Sequence, residues 1–288
     1  MSGRRHVRML GAITLMITAL IVTGGRPAAA DGVNPDADFK AFRDYFTKRF
    51  PKVPLNDFVN GPYSMDADLR KQWVAIEDFP PYDFAVDRGK DMFATPFKNG
   101  KSYGDCFPDK GIGVRQNYPY FDEKTGQIVT LELALNQCRQ ANGEQPFSYV
   151  KDEMASLTAY MAFTSRGKPF DIKIPNDPRA LAAYENGEKY FYSRRGQLNF
   201  SCASCHVQSA GEHIRTEVLA PALGLLNAMP IYRSEWGSMG TISRRFVTCN
   251  SQVRGVPIEP QDENYRDLEY YLSYMANGLP VSGPGARP

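Results

Sequence analysis

The sequence predicts a mainly α-helical protein made of two tandem domains that share one plan, residues 31–170 and 171–288. Three observations support this prediction. Several segments carry apolar residues at the spacing of an amphipathic helix. A series of landmarks occurs twice in the same order. Residues 202–206 read Cys-x-x-Cys-His, and this motif indicates the chemistry.

Amphipathic helices are predicted near both ends of the chain. Segment 36–50 places four phenylalanines on one stripe, and segment 262–275 turns four residues inward: Tyr265, Leu268, Leu272 and Met275. A further helix is expected to begin at Pro178, because Asp177 is a favourable cap and proline suits the first turn. The proline-rich, aromatic stretch before residue 81, with a short helix around Trp73, is expected to wrap the body.

The repeated landmarks lie at matching distances in the two halves. Gly89-Lys90-Asp91-Met92-Phe93 resembles Gly187-Glu188-Lys189-Tyr190-Phe191, and further along each copy a cysteine follows a glycine by six residues. Tyr-Met-Ala at 160–162 recurs at 274–276. We interpret the series as an internal duplication. The alternative is chance similarity between short amphipathic helices.

The motif Cys-x-x-Cys-His is the attachment signature of a c-type haem. Two thiols at this spacing, Cys202 and Cys205, add to the vinyl groups of the porphyrin, and His206 reaches the iron from the proximal side. A zinc half-site would need a second Cys/His cluster, which the sequence lacks, and a thioredoxin-like redox pair would not need the histidine. The sequence therefore predicts one covalent haem c per chain.

Each half has the plan of a cytochrome c domain, but the haem signature of the first half has decayed. Cys106 keeps the place of the first thiol, whereas Asp109 and Lys110 stand where the second cysteine and the histidine would be. Cys138 occupies the place that Cys249 has in the second half. If the halves share a fold, Cys106 and Cys138 face each other, and a disulfide is predicted; the alternative is two buried thiols.

Cys249 is then the one cysteine of the five that is left without a role. It lies at the distal-loop position by internal symmetry, and Arg244 and Arg245 stand beside it, a cationic setting that favours thiolate. The alternative is ordinary His/Met ligation of the iron, for which Met229 and Met239 are available.

The sequence and its charge balance indicate an exported protein, and they argue against a membrane span in the mature chain and against nucleic acid as a partner. Residues 1–30 read as a secretory signal cleaved near Ala30, with arginines ahead of an apolar run too short to span a membrane. Residues 31–288 carry 30 Lys+Arg against 32 Asp+Glu. We therefore expect a periplasmic protein with no membrane span in its mature form and no affinity for nucleic acid.

These residues resemble the SoxA family, the haem-containing subunits of the L-cysteine S-thiosulfotransferase SoxAX of sulfur-oxidising bacteria. The resemblance covers essentially the whole mature chain. It rests on the duplicated plan, on the haem motif and, most specifically, on the Arg-x-x-x-Cys of Arg245 and Cys249. Dihaem members of the family carry a second haem motif in the first domain, so this sequence looks like the monohaem type.

The resemblance implies roles for particular residues. His206 would be the proximal iron ligand and Cys249 the distal one, and Cys249 would also be the active-site residue, often carrying an extra sulfur as a persulfide. Arg245 would hold the thiosulfate anion, which suits a guanidinium. The reaction would join thiosulfate oxidatively to a cysteine of the carrier SoxYZ. Electrons would leave through the haem to the small cytochrome SoxX.

Two other classes of protein use the same haem motif. A plain electron-transfer cytochrome c would use His/Met ligation and have no catalytic sulfur. A peroxidase-like dihaem enzyme is excluded, because only one complete haem motif is present.

Overall fold

Capping residues and aromatic stripes determine where the helices of the computed structural model begin and what they bury. The model describes residues 33–214 and 217–287. The α helices in these ranges are α1 Pro35–Arg49, α2 Ala67–Ile76, α3 Asp83–Ala94, α4 Leu131–Ala141, α5 Asp152–Phe163, α6 Pro178–Tyr192, α7 Ile242–Gln252 and α8 Glu263–Met275. The mainly helical class is confirmed. The predicted signal segment 1–30 lies outside the described residues.

The predicted helices begin and end close to the expected residues. Asn34 caps α1 and Asp262 caps α8, each with its side chain accepting from a backbone N–H of the first turn. Asp177 caps α6 in the same way, with Pro178 as its first residue. The four residues predicted to face inward on α8 are all buried.

Short strands complete the fold. β1 Tyr120–Asp122 and β2 Gln127–Val129 form an antiparallel hairpin before α4, and β5 Ile231–Arg233 and β6 Ser238–Gly240 form one before α7. β7 Gly285–Arg287 joins β5 in parallel, and β3 His213–Ile214 pairs with β4 Glu217–Val218. Both α4 and α7 therefore start directly after a hairpin.

Two close helix crossings form the frame of the two halves. A Cβ atom at Gly89 of α3 would overlap the carbonyl oxygen of Ser156 in α5, and one at Gly187 of α6 would overlap that of Asp267 in α8. Only glycine permits backbones to approach this closely. The series hairpin, helix and crossing helix thus occurs twice, in matching order.

The chain from Val33 to Pro288 forms one compact unit, in which the expected boundary near residue 170 stays a prediction. Segment 55–64 packs against the second half, as a wrapping segment should: Phe58 is fully buried, and the Tyr63 hydroxyl donates to the Ala286 carbonyl at 2.9 Å. Among the described residues, no helix combines the length and apolar character needed to cross a membrane.

Candidate haem and thiolate site

The haem motif lies on a short helical turn that its own serines hold in shape. Cys205 and His206 belong to a π-helical turn, Ser204–Gln208, which follows Cys202 and Ala203. Ser201 N–H donates to the Ser204 hydroxyl and Ser204 N–H to the Ser201 hydroxyl, both at 3.1 Å. Both serines are buried, so this reciprocal cap fixes the spacing of the two thiols.

His206 is held as a neutral ligand with one nitrogen free. Its Nδ1 donates to the carbonyl oxygen of Ala220 at 2.8 Å, which leaves the Nε2 lone pair for a metal. Burial lowers the pKa of His206 to about 4, and nearby Arg245 acts in the same direction. The imidazole is therefore uncharged at neutral pH, as iron ligation requires.

The turn after His206 is anchored from the far end of the chain by Arg49 at the end of α1. The Arg49 guanidinium donates to the carbonyl oxygens of Val207, Gln208 (3.0 Å) and Ala210 (3.1 Å). These carbonyls end a helical turn and need partners. Helix α1 therefore helps to hold the haem motif in place.

Helix α7 carries the other half of the candidate site. Thr241 caps it, and Arg245 and Cys249 lie one turn apart on the same face. Arg244 faces elsewhere: its guanidinium donates to Ser238 Oγ at 3.0 Å and Met239 O at 3.2 Å. Of the two arginines expected beside Cys249, only Arg245 is free to act there.

Backbone contacts hold the end of α7 against the segment that leads into the haem motif. Leu198 N–H donates to Val253 O at 3.3 Å and Gln197 N–H to Arg254 O at 3.2 Å. Gly196 permits this approach, since a Cβ there would overlap the Val253 carbonyl. The contact brings the cysteine of α7 toward the haem motif.

The pKa values of Cys202 and Cys205 are shifted in part by groups on α7, in keeping with this contact. Burial raises the pKa of the Cys205 thiol; the nearby Cys249 raises it further, and Arg245 lowers it. Burial also raises the pKa of Cys202 to about 11, with a smaller contribution from Cys249. The structure thus brings all five predicted site residues of the second half together: Cys202, Cys205, His206, Arg245 and Cys249.

The residues present fit a covalent haem c. Two thiols, a neutral imidazole with a free nitrogen and a third cysteine make up the donor set, and the buried Nη1 of Arg245 has no hydrogen-bond acceptor among the described residues. A buried guanidinium nitrogen without an acceptor suits an anionic group. No three His, Cys, Asp or Glu side chains in the described ranges cluster to hold a metal ion by themselves.

Both methionines considered as alternative ligands are engaged elsewhere. Met239 is buried in a cluster with Tyr82, Val86 and other residues of the first half. Met229 lines a small cavity between the halves, together with Arg115 and Glu269. Neither position favours ligation opposite His206.

The first half has a disulfide in the corresponding place. Cys106 and Cys138 are joined, with an S–S distance of 1.98 Å and 32 residues of separation. Asp109 and Lys110, at the decayed motif positions, adopt left-handed backbone conformations with φ of 48° and 54°. Phe93 and Phe107 are buried in one hydrophobic cluster with Cys138.

Comparison with known proteins identifies the family. The chain is 50% identical over 275 residues to the L-cysteine S-thiosulfotransferase subunit SoxA of Allochromatium vinosum, a match that covers 95% of this chain and 96% of the relative. The chain belongs to the SoxA family. A SoxA subunit of Chlorobaculum tepidum is 48% identical over 281 residues, 96% of each chain. The predicted resemblance is confirmed.

Two further comparisons extend the SoxA assignment to the fold. The family model described as "SoxA/TsdA, cytochrome c domain" matches residues 88–170, the half that lacks the haem motif. A solved structure described as "Crystal structure of SoxXA from P. pantotrophus" contains a chain 32% identical to this one, with a TM-score of 0.68 over 76% of this chain and 84% of that chain. The cytochrome c character predicted from the sequence is confirmed.

Sequence reasoning missed three groups that support the site. Arg49 and Ala220 contact the haem turn from distant positions, and Glu132 contacts α7 from the first half. None of them carries a motif or a periodic pattern. A fourth supporting feature, the Ser-x-x-Ser of the haem segment, does have a signal in the sequence, namely its capping spacing.

Proposed function

We propose that this chain is the catalytic subunit of an L-cysteine S-thiosulfotransferase, with Cys249 as its active-site residue. The observation that carries the proposal is the convergence of Cys249 and Arg245 on the haem motif, with the Arg245 Nη1 buried and without an acceptor among the described residues. A plain electron-transfer cytochrome needs no such arginine. The names of the curated relatives support the same activity.

The haem would be held by thioether bonds at Cys202 and Cys205, with His206 as the proximal ligand and Cys249 as the distal one. When bound, it would accept the electrons that the reaction releases. The Ala220 carbonyl orients the imidazole and fixes its tautomer. One haem per chain is expected, because the first half has neither the second thiol nor the histidine.

The reaction joins the outer sulfur of thiosulfate to a carrier cysteine. A sulfur–sulfur bond forms, the carrier thiol loses its proton, and two electrons leave. Arg245 would hold the thiosulfate dianion through paired charge-assisted hydrogen bonds. Cys249, one helical turn away, would first bond to the outer sulfur of thiosulfate, through its own sulfur or that of its persulfide, with loss of the two electrons; the carrier thiolate would then attack that outer sulfur and release Cys249.

The partners and the compartment follow from this chemistry. A SoxX-type small cytochrome would receive the electrons, in keeping with the SoxXA complex to which the structural relative belongs. The carrier SoxYZ would supply the cysteine. A periplasmic location is supported by the signal-like segment 1–30 and by a disulfide, which persists in oxidising compartments.

The halves would be two cytochrome c domains, residues 31–170 and 171–288, of which the first has lost its haem. The family-model match to residues 88–170 and the matched glycine crossings support this. The Cys106–Cys138 disulfide would replace the lost cofactor as a cross-link.

The test measures conjugation of thiosulfate to the carrier by purified protein with the small cytochrome present. Cys249→Met should keep fold and haem, since methionine is an acceptable iron ligand, but should lose conjugation, since a thioether cannot pass on a sulfur. Arg245→Lys keeps the charge and loses the paired geometry, so the rate should fall about ten- to a hundredfold.

Arg244→Lys is the matched control, because Arg244 faces the β5–β6 hairpin instead of Cys249. It should conjugate thiosulfate at the wild-type rate. If Cys249→Met conjugates thiosulfate at the wild-type rate, Cys249 has no catalytic role. The chain would then be better described as an electron-transfer cytochrome.

A further inference from the structure

The first turn of α7, the helix that carries Cys249, is capped by a carboxylate from the first half. Glu132 Oε1 accepts hydrogen bonds from the backbone N–H groups of Ile242 (2.9 Å) and Ser243 (3.4 Å). Glu132 Oε2 accepts from the Ser243 hydroxyl. Glu132 is 3% exposed, so this contact is shielded from water. A negative charge at a helix N-terminus is favourable, and more so when it is buried.

Two further side chains lock this contact. Gln261 Nε2 donates to Glu132 Oε2 at 3.1 Å and to Ser243 Oγ at 2.9 Å, while the Thr130 hydroxyl donates to Gln261 Oε1 at 2.7 Å. All four side chains are buried. A buried network in which each polar group has a partner fixes one arrangement of the elements that it joins.

The contact joins equivalent positions of the two halves. Thr130 caps α4 and Thr241 caps α7, and Glu132 and Ser243 each lie two residues after their threonine. The two helices that carry Cys138 and Cys249 therefore meet at their first turns. Where the two helices meet, the Ser243 hydroxyl of α7 donates a hydrogen bond to the Glu132 carboxylate of α4.

We propose that Glu132 is a positioning residue for Cys249: the first half, which has no haem motif, sets the placement of α7 through this carboxylate. The other end of α7 is fixed by Val253 and Arg254, which contact the haem segment. With both ends fixed, Cys249 and Arg245 keep their distance from the haem motif. The proposal rests on the function proposed for Cys249.

The test compares Glu132→Gln with a matched control, Glu153→Gln, in the haem-containing protein. Glu153 also lies in the first turn of a helix, α5, but it is half-exposed and pairs with Arg88. The first measurement is amide hydrogen exchange of peptides covering α7, α5 and α8. Glu132→Gln should raise exchange in α7 by about tenfold relative to the other two helices. Glu153→Gln should leave α7 unchanged.

The second measurement is the affinity of the ferric protein for imidazole, which competes with the distal ligand. Glu132→Gln should bind imidazole about tenfold more tightly, and Ser243→Ala should shift the affinity in the same direction by less. Equal rises in exchange across α5, α7 and α8, with unchanged imidazole affinity, would overturn the proposal. They would mean that Glu132 contributes only to the overall stability of the protein. If Glu132→Gln fails to fold, the comparison of Ser243→Ala with Glu153→Gln decides.

Neither measurement uses the conjugation assay. The proposal on Glu132 and the function proposed for Cys249 can therefore fail separately.

Discussion

The two halves keep the same helical frame but differ in the segments that would contact a haem. Gly89 and Gly187 permit equivalent helix crossings, and both hairpins lead into a helix capped by threonine. The second half has a serine-capped helical turn at the motif, whereas the first has a turn with two left-handed residues. The frame depends on close backbone approach, which few residues allow, whereas the loops carry the chemistry and can change.

The cysteines show the same divergence. Cys138 and Cys249 each lie eight residues after the threonine cap of their helix. Cys138 forms a disulfide with Cys106, whereas Cys249 is unpaired and lies near the haem motif. Equivalent positions thus provide a structural cross-link in one half and a candidate catalytic thiol in the other.

The largest effect on stability is expected from removing the cross-link. The double variant Cys106→Ala/Cys138→Ala should lower the free energy of unfolding by about 3 to 4 kcal/mol, because the bond closes a loop of 32 residues in the unfolded chain. Urea unfolding of the purified protein measures this. Conjugation activity of the folded fraction should be unchanged, and a loss of activity would show that the disulfide also supports the site.

The next effect tests whether the two crossings are equivalent. Gly89→Ala and Gly187→Ala should each lower the free energy of unfolding by about 3 kcal/mol, because each Cβ would overlap a backbone oxygen that cannot move away. Gly104→Ala is the control, since the nearest atom to its Cβ would lie at 3.4 Å. Costs that differ by more than about 1 kcal/mol would mean that the crossings are not equivalent.

Much of this fold could be predicted because its signals are local. The helix stripes, the caps at Asp177 and Asp262 and the haem motif each lie within one segment of sequence. The choice between Arg244 and Arg245 was also open to prediction, because helical spacing places Arg245, four residues before Cys249, on the same face. In the structure, Arg245 lies on the face of α7 that carries Cys249, and Arg244 does not.

The supporting contacts could not be predicted, because they join distant parts of the chain. Arg49 contacts carbonyls about 160 residues away, and Glu132 contacts an amide 110 residues away. A single arginine at the end of a helix, or a glutamate in a first turn, is usually a solvated surface residue. Only the folded chain shows that these two side chains act on the haem turn and on α7.

A smaller effect concerns the pH dependence of the interface between the halves. Burial raises the pKa of Glu269 to about 8, the nearby carboxylate of Glu132 acts in the same direction, and the buried guanidinium of Arg115 offsets this in part. Because this carboxyl binds its proton more tightly in the folded state, its contribution to the free energy of unfolding is complete below pH about 4.5 and is lost as the pH rises through about 8.

Glu269→Gln should make the free energy of unfolding fall less between pH 6 and 9, by of the order of 1 kcal/mol. Urea unfolding at each pH measures this slope. Glu153→Gln should keep the wild-type slope, because the pKa of Glu153 is shifted down instead of up. A wild-type slope in Glu269→Gln would mean that Glu269 stays charged at neutral pH.

The smallest effect is expected from restoring the haem motif of the first half. Asp109→Cys and Lys110→His, combined with Cys138→Ala to free Cys106, recreate the residue types of the second half. We expect the variant to carry one haem, measured by the mass of the purified holoprotein.

Two features of the first half oppose a second haem. Positions 109 and 110 have left-handed backbones that cysteine and histidine rarely adopt. Phe93, Phe107 and Tyr118 are packed in one buried cluster with Cys138, and Phe93 lies so close to Gly111 that a Cβ there would overlap its ring. A mass increase of two haems would show that the pocket persists and that residue identity alone separates the halves. A single haem would mean that residue identity alone does not separate the halves, and that the backbone conformation and the packing of the first half also oppose a haem.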